Sequence, residues 1–169
     1  MKIRPLEKED LLELHRLNNM KNVMAYWFEE PYESFSELVN LYNKHLDDDT
    51  ERRFVVEAQD HFSGVIELVE IDYIHRNCEI QIAILPQYQG HGYAKSAMIK
   101  GIEYAFNVLN LNKIYLYVDV ENEKAIHIYQ ELGFVTEGKL LQQFFSSGQY
   151  HDSYFMGILR ENWRNQAPA

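Results

Sequence analysis

The feature of this sequence that most constrains its fold is a glycine-bearing loop between a strand-like segment and a helical one. Glu79 to Leu85 has the pattern of a strand, Gln89 to Ala94 reads QGHGYA, and a helical pattern follows to about Leu109. Such a loop points several backbone N–H groups and the positive end of the helix dipole at one place. The pattern favours a pyrophosphate site, although glycine pairs also form ordinary turns between a strand and a helix.

Size and composition indicate one soluble domain covering residues 1–169. A domain of ~150 residues buries about 70% of its unfolded surface, so a single core is the expectation. Met1 to Glu13 is rich in charge where a signal peptide would be apolar, and no run approaches the ~18 apolar residues of a membrane span. The lone cysteine, Cys78, excludes an internal disulfide. We therefore expect a cytoplasmic protein with no membrane partner.

The net charge of −10 is concentrated in one part of the chain. Residues 29–79 contain 14 acidic and four basic residues, whereas the two flanking parts are nearly neutral. A solvated acidic face is the ordinary explanation for such a run. Nucleic acid is disfavoured as a partner, because phosphate binding requires clustered Lys and Arg. A cationic partner is favoured.

Periodicity predicts a mixed α/β chain, with an antiparallel first half and a βαβαβ second half. The predicted helices are Lys8 to Leu17, Pro31 to about Leu46, Ala94 to Leu109 and Asn122 to Leu132. The predicted strands are Lys2 to Leu6, Arg53 to Ala58, Gly64 to Tyr73, Glu79 to Leu85, Lys113 to Val118 and one starting at Phe134 to Gly138; the turn between the second and third is placed at Asp60 to Ser63. A last hairpin, Leu140 to Leu159, is predicted to turn at Ser147 and Gly148.

Several motifs resemble a known family. The QxxGxA loop after a central strand, and the run from Asn122 to Ala125 that continues to Tyr129 and Leu132 to Phe134, resemble the GNAT acyltransferases that use acetyl-CoA. Four further segments resemble the bacterial spermidine/spermine N-acetyltransferases: Tyr26 to Tyr32 (YWFEEPY), Glu51 to Glu57 (ERRFVVE), Glu67 to Ile71 and Phe145 to Tyr150. The resemblance implies a GNAT fold, in which a mixed sheet has its parallel pair at the acetyl-CoA cleft and is flanked by helices.

The resemblance also implies where acetyl-CoA binds. Ile82, Ala83 and Ile84 would present backbone groups to the pantetheine arm, which would bind like an added strand. Tyr129 would lie near the thioester sulfur and protonate the leaving thiolate. The helical spacing of Ala125, Ile128, Tyr129 and Leu132 also allows a simple core role for Tyr129. The remaining implied contacts are Gln89, Gly90, His91, Gly92, Tyr93, Ala94 and Lys95 around the pyrophosphate, and Asn122, Lys124, Ala125 and Glu131 along the arm.

The acidic third of the chain carries the implied polyamine contacts. Glu29, Glu33 and Glu37 are spaced by four, and like charges at this spacing in a helix cost roughly 0.2–0.5 kcal/mol per pair, which a cation would relieve. Nearby aromatic residues offer apolar walls, with core packing as the alternative. The resemblance implies contacts with spermidine or spermine, partly in an allosteric pocket between subunits, from Met24, Glu29, Glu37, His45, Leu46, Asp47, Asp48, Glu51, Glu79, Ile80 and Gln81.

Further expectations concern metal, assembly and activity. Glu29 and Glu70 could together hold Mg²⁺ or Ca²⁺, and no metal is expected to be required. The resemblance implies a large homo-oligomer, a dodecamer of stacked hexamers. The expected reaction is direct transfer of an acetyl group from acetyl-CoA to a primary amine of spermidine or spermine. Two alternatives are a protein N-terminal acetyltransferase of the ribosomal-protein type and a non-catalytic polyamine sensor.

Overall fold

The computed structural model describes residues 1–27, 30–31 and 33–163. Its framework is a seven-stranded sheet in the order β1-β2-β3-β4-β5-β7-β6. Within the described residues, β4 and β5 pair in parallel, and the other neighbouring strands pair antiparallel. The strands are β1 Lys2–Pro5, β2 Arg52–Ala58, β3 His61–Asp72, β4 Asn77–Ile84, β5 Lys113–Asp119, β6 Val135–Ser146 and β7 Gln149–Leu159.

In the part of the chain that the structure describes, five α-helices cover the two faces of the sheet. They are α1 Leu11–Asn18, α2 Lys21–Trp27, α3 Phe35–His45, α4 Tyr93–Glu103 and α5 Glu123–Glu131. A wider helical turn over Tyr104–Val108 extends α4, so the predicted helix up to Leu109 is confirmed. Within the described residues, no helix is both long enough and apolar enough to cross a membrane.

Alternation along the strands divides the core into two layers. Val65 and Ala83 face α1, α2 and α3, whereas Ile66 and Ile80 face α4. Gly101 in α4 lies against Ile66, and a Cβ at this glycine would stand 2.7 Å from the Ile66 Cδ1 atom. Because apolar residues lie on both faces of β3 and β4, these central strands are buried on both sides.

The region of the second predicted helix differs from the expectation. The sequence predicted one helix from Pro31, but α3 begins at Phe35, where the Ser34 hydroxyl accepts the Glu37 N–H and the Glu37 carboxylate accepts the Ser34 N–H. This capping box fixes the helix start. Glu33 therefore lies before the helix, and its carboxylate accepts a hydrogen bond from the Asn18 amide at 3.1 Å. The expected repulsion between the Glu33 and Glu37 carboxylates along one helix face was therefore wrong. Helix α2 was not predicted.

Two hairpins also correct the prediction. The turn between β2 and β3 is Gln59 and Asp60, both in the left-handed region with φ of 53° and 62°, rather than Asp60 to Ser63. The predicted strand at Phe134 and the first strand of the predicted last hairpin are one strand, β6. Its turn at Ser147 and Gly148 is confirmed, with φ of 53° and 84°. Two consecutive left-handed residues match the natural twist of a two-residue hairpin.

Candidate active site

The site is built around the place where β4 and β5 separate. The two strands pair over three residues each, from Asn77 with Lys113 to Glu79 with Tyr115. Beyond this point β4 continues to Ile84 and β5 continues to Asp119. The diverging strands leave the β5-facing side of residues 80–84 without a neighbouring strand, while the other side pairs with β3. Backbone groups at such an opening can receive an extended ligand as an added strand.

A cavity of about 340 Å³ lies at this opening. Its walls come from the end of α2, from β4, β5 and α5, and from β6. Glu79 contributes a carboxylate whose Oε1 accepts the Gln81 side-chain N–H at 2.8 Å. The lining residues are Tyr26, Trp27, Glu79, Ile80, Gln81, Ile82, Tyr117, Tyr129, Gln143 and Phe144.

Tyr129 reaches the cavity from α5. Its ring packs against Phe134, with the ring centroids 6.0 Å apart, so part of the predicted core role is real. Burial raises the pKa of the Tyr129 phenol to about 12. The hydroxyl therefore keeps its proton across the physiological range. A protonated hydroxyl at the edge of a cavity can donate a hydrogen bond or give up a proton to a stronger base.

The glycine loop stands at the start of α4, immediately after β4. The Gln89 side chain donates to the Ile84 carbonyl oxygen at 2.9 Å and so ties the loop to the strand end. Gly90 and Gly92 have φ of 81° and 76°, which favours glycine at both positions. The first hydrogen bond of the helix runs from the Ser96 N–H to the Gly92 carbonyl oxygen. The backbone N–H groups of the residues before Ser96 therefore precede the hydrogen-bonded turns of α4. These amides fit an anionic group such as a pyrophosphate.

Helix α5 contributes Tyr129 to the same opening. The Asn122 side chain accepts the Ala125 N–H at 3.2 Å and thereby caps the helix. Lys95 at the start of α4 and Glu131 at the end of α5 form an ion pair at 3.1 Å that joins the two helices. The predicted cofactor residues therefore lie around the start of α4 and along α5, and several of them also have ordinary structural roles.

A separate groove of about 410 Å³ contains the predicted polyamine residues at the end of α3. Glu51 lies between His45 and Arg53, with its Oε2 atom 3.3 Å from the His45 Nδ1 and 3.0 Å from the Arg53 Nη2. Burial, followed by the charge of Arg53, lowers the pKa of His45. The predicted residues in this groove are His45, Leu46, Asp47, Asp48 and Glu51, and Asp49, Arg52 and Arg53 also line it.

Comparisons with known proteins agree with this geometry. The family described as acetyltransferase (GNAT) domain matches residues 1–135. The chain belongs to the GNAT acetyltransferase family. It is 54% identical over 166 residues to the spermidine N(1)-acetyltransferase of Vibrio cholerae, covering 98% of this chain and 96% of that protein. It is also 54% identical over 163 residues to the spermidine N(1)-acetyltransferase of Escherichia coli K12, covering 96% of this chain and 88% of that protein.

A solved structure gives the same result for the fold. The crystal structure of the Vibrio cholerae spermidine N-acetyltransferase in complex with CoA and spermine has a TM-score of 0.93 and 54% sequence identity. The match covers 95% of this chain and 96% of that chain. The predicted GNAT fold, with a mixed sheet and helices on both faces, is confirmed. The resemblance to the bacterial spermidine/spermine N-acetyltransferases is also confirmed, and so is acetyl-CoA as the cosubstrate of this GNAT protein.

Other predicted contacts of this GNAT protein lie away from both cavities or have other partners. Met24 is 1% exposed and packs in the core beside α1. Glu37 is committed to the cap of α3. Glu70 has φ of 51° in the irregular part of β3 and lies beside a shallow depression with Thr50 and Tyr115. Glu29, its predicted metal partner, lies outside the described residues.

Five cavity residues were missing from the predicted site: Tyr26, Trp27, Tyr117, Gln143 and Phe144. The first two belong to the YWFEEPY segment, which was noted for its resemblance. The Tyr117 ring lies edge-on to the Phe144 ring, with centroids 6.1 Å apart. Burial and the charge of Glu79 raise the pKa of Tyr117. Alternation in β5 could have indicated that Tyr115 and Tyr117 share the face of Glu79. The position of β6 could not be inferred locally, because β6 pairs with β7 rather than with β5.

The glycine loop gives a first prediction. Gly92→Ala places a Cβ in open space, with nothing within 4 Å, so the substitution adds strain at φ 76° but no clash within the protein. We expect a folded protein that loses about 1 kcal/mol of stability and binds CoA at least tenfold more weakly. Isothermal titration calorimetry with CoA and a thermal melt measure the two effects.

Gly148→Ala is the matched control, since it carries the same left-handed strain, with φ 84°, and also points a Cβ into open space. It should lose similar stability and keep its affinity for CoA. Equal CoA affinities of the two variants would show that the loop at Gly92 does not bind the cofactor.

Proposed function

We propose that this chain is an acetyl-CoA-dependent spermidine/spermine N-acetyltransferase, acting by direct transfer in a ternary complex. The observation that carries the proposal is the cavity at the β4 and β5 opening, which combines a carboxylate with five aromatic side chains beside the proposed cofactor cleft. The 54% identity to the curated spermidine N(1)-acetyltransferases supports the substrate class. The proposal includes one acetyltransferase domain over residues 1–169, a cytoplasmic location and assembly into a homododecamer.

The cavity suits a flexible alkylammonium chain. Tyr26, Trp27, Tyr117 and Phe144 supply apolar walls for methylene groups and ring faces for ammonium groups. Glu79 supplies the negative charge, and its bond to Gln81 fixes the direction of the carboxylate. A pocket of mixed aromatic and carboxylate groups binds a cation without the full desolvation cost that an apolar pocket would impose.

The end of β4, the glycine loop and α5 together fit acetyl-CoA. Ile82, Ala83 and Ile84 would hold its pantetheine arm, and the loop from Gln89 to Lys95 would hold its pyrophosphate. Asn122, Lys124, Ala125 and Glu131 would lie along the arm. When bound, acetyl-CoA supplies the acetyl group that the amine receives. Tyr129 holds a proton at its hydroxyl oxygen and gives it to the leaving sulfur.

The acceptor amine must lose a proton before it can act as a nucleophile. With an ordinary alkylammonium pKa near ~10.4, the neutral form at pH 7 costs about 4.6 kcal/mol. Carboxylates near the amine raise this cost, because they favour the charged form. A carboxylate of ordinary pKa ~4.3 is mismatched by about 6 units as a base. We therefore propose that Glu79 binds the charged amine and that the amine loses its proton to water.

The groove at the end of α3 is proposed as a regulatory polyamine site. Its acidic residues lie on a loop at the surface, and Arg52 and Arg53 reduce the local negative charge. Asp48 accepts hydrogen bonds from the Thr50 N–H at 2.8 Å and the Thr50 hydroxyl at 2.6 Å, which hold the loop conformation. These bonds and neighbouring charges lower the pKa of Asp48, so it stays ionised near neutral pH. An ordered row of carboxylates favours a ligand with several positive charges.

A substrate panel tests the main proposal. Purified protein with acetyl-CoA should release free thiol when spermidine or spermine is added, and mass spectrometry should find monoacetylated polyamine. A peptide with a free N-terminus from a basic protein should give less than a tenth of this rate. Faster turnover of the peptide would favour the ribosomal-protein type of acetyltransferase. Polyamine binding without any thiol release would favour the non-catalytic sensor.

A second test concerns Tyr129. Tyr129→Phe removes the proton donor and keeps the ring that packs on Phe134, so we expect kcat to fall by 10²–10⁴ with little change in CoA affinity. Tyr104→Phe, which removes a hydroxyl from a ring that packs against Phe54, should leave kcat unchanged. Undiminished turnover in Tyr129→Phe would remove the acid role.

The regulatory groove is tested with Asp48→Asn, which removes one charge and keeps an acceptor oxygen for Thr50. Because the charge lies near the surface, we expect the spermine concentration for half-maximal stimulation to rise by about two- to fivefold at low salt. Asp60→Asn in the turn between β2 and β3 is the control and should leave the stimulation curve in place. Superimposable curves for Asp48→Asn and the unmodified protein would rule out this groove.

A further inference from the structure

One wall of the active-site cavity is carried by an irregular part of β6. The pairing of β6 with β7 shifts between Leu140, which faces Ser153, and Phe144, which faces His151. Gln142, in the shifted segment, has φ of 49°. A bulge of this kind re-aims side chains at a sheet edge, and a left-handed non-glycine residue there is held by its surroundings. The segment that carries Gln143 and Phe144 therefore depends on side-chain contacts for its position.

Asp152 of β7 holds the first part of this segment. Its Oδ1 accepts the Gln142 N–H at 2.8 Å, and its Oδ2 lies 2.9 Å from the Lys139 ammonium nitrogen. Asp152 therefore replaces the ladder bond that the bulge removes. The other end of the segment, towards the hairpin turn, is held differently.

His151 holds that end. Its Nδ1 lies 2.9 Å from the Asp119 Oδ2 at the end of β5, and its Nε2 lies 3.2 Å from the Ser146 carbonyl oxygen beside the turn. The side chains of Asp119 and His151 are only 5% and 14% exposed. His151 also stands directly opposite Phe144, which lines the cavity. The ring thus links the end of β5 to the tip of the hairpin behind the cavity wall.

Both partners of the His151 ring are hydrogen-bond acceptors. A neutral imidazole has one N–H and can donate to only one of them, whereas the imidazolium donates to both. The charged groups that face the ring are Asp119 on β5 and Glu121 after it, whose carboxylate oxygens lie within 4.8 Å of a His151 nitrogen and of each other. Asp152 and Lys139, next along the hairpin, pair with each other. The ring therefore stands between two hydrogen-bond acceptors and beside two carboxylates.

We propose that Asp119 and His151 are positioning residues for the polyamine side of the cavity: the His151 ring, held by Asp119, keeps the wall formed by Gln143 and Phe144 in place. The inference rests on the proposed function for its substrate. Loss of the ring removes the link between the end of β5 and the tip of the hairpin, so the wall is released. Neither residue contacts the cofactor cleft in this arrangement, and the effect is on binding of the amine.

Kinetics of His151→Gln test the proposal. A glutamine amide can donate to Asp119 or to Ser146, so it keeps one of the two contacts of the ring. We expect the KM for spermidine to rise about tenfold, as for one lost hydrogen bond to a charged group, with kcat and the KM for acetyl-CoA within twofold. A general structural defect would instead change kcat and both KM values together.

Two further variants complete the design. Asp119→Asn keeps an acceptor for the ring but removes the carboxylate charge, and it should reproduce the raised KM for spermidine. His61→Gln, at the exposed start of β3, is the matched control and should leave both KM values unchanged. An unchanged KM for spermidine in His151→Gln, or an equal rise in its KM for acetyl-CoA, would overturn the proposal.

Hydrogen–deuterium exchange separates this inference from the proposed function. Amides of residues 142–146 should be less protected in His151→Gln than in the unmodified protein at the same pH. Equal protection of the two proteins would refute the link to the hairpin, whatever the substrate. Absence of spermidine acetylation by the unmodified protein would refute the proposed function alone.

Discussion

The separation of two parallel strands is the constraint on which the site depends. β4 and β5 start as neighbours, and after Glu79 and Tyr115 each continues without the other. A sheet edge exposed inside a domain would leave backbone groups unsatisfied, unless a ligand or water takes the place of the missing strand. The same divergence opens the cavity and lets α5 bring Tyr129 to it. The fold and the ligand site thus both depend on this one departure from regular strand pairing.

Local patterns predicted the parts of this arrangement that lie close together in the sequence. The strand, glycine loop and helix from Asn77 to Glu103 form one continuous unit, and glycines with positive φ mark its turn. The turn at Ser147 and Gly148 and the helix start at Asn122 were likewise found, because short polar or glycine residues have distinct backbone preferences. The start of α3 was misplaced because Pro31 and Ser34 are both suitable near a helix start. The capping box with Glu37 decided in favour of Ser34.

Residues that meet only through strand order were not predictable. Tyr117 and Phe144 are 27 positions apart and touch because β7 lies between β5 and β6. The periodicity of neither strand indicates that β7 lies between them. The contact of His151 with Asp119 has the same origin, since residues 119 and 153 are paired across β5 and β7. Recognition of the family supplied the cofactor loop and Tyr129, but these contacts of the hairpin depend on the register of this chain.

In the proposed mechanism, charge and burial have opposite effects on the two partners of the reaction. Carboxylates attract the polyamine but stabilise its charged form, whereas burial keeps the proposed acid, Tyr129, neutral by raising its pKa to about 12. Burial, and after it the charge of Glu79, also raises the pKa of Tyr115 and Tyr117 on β5. The hydroxyls of Tyr117 and Tyr129, which line the cavity, therefore keep their protons and can donate. Among the described residues that line the cavity, Glu79 supplies the carboxylate that would attract a cation and the aromatic faces carry no net charge, which would limit how strongly the amine retains its proton.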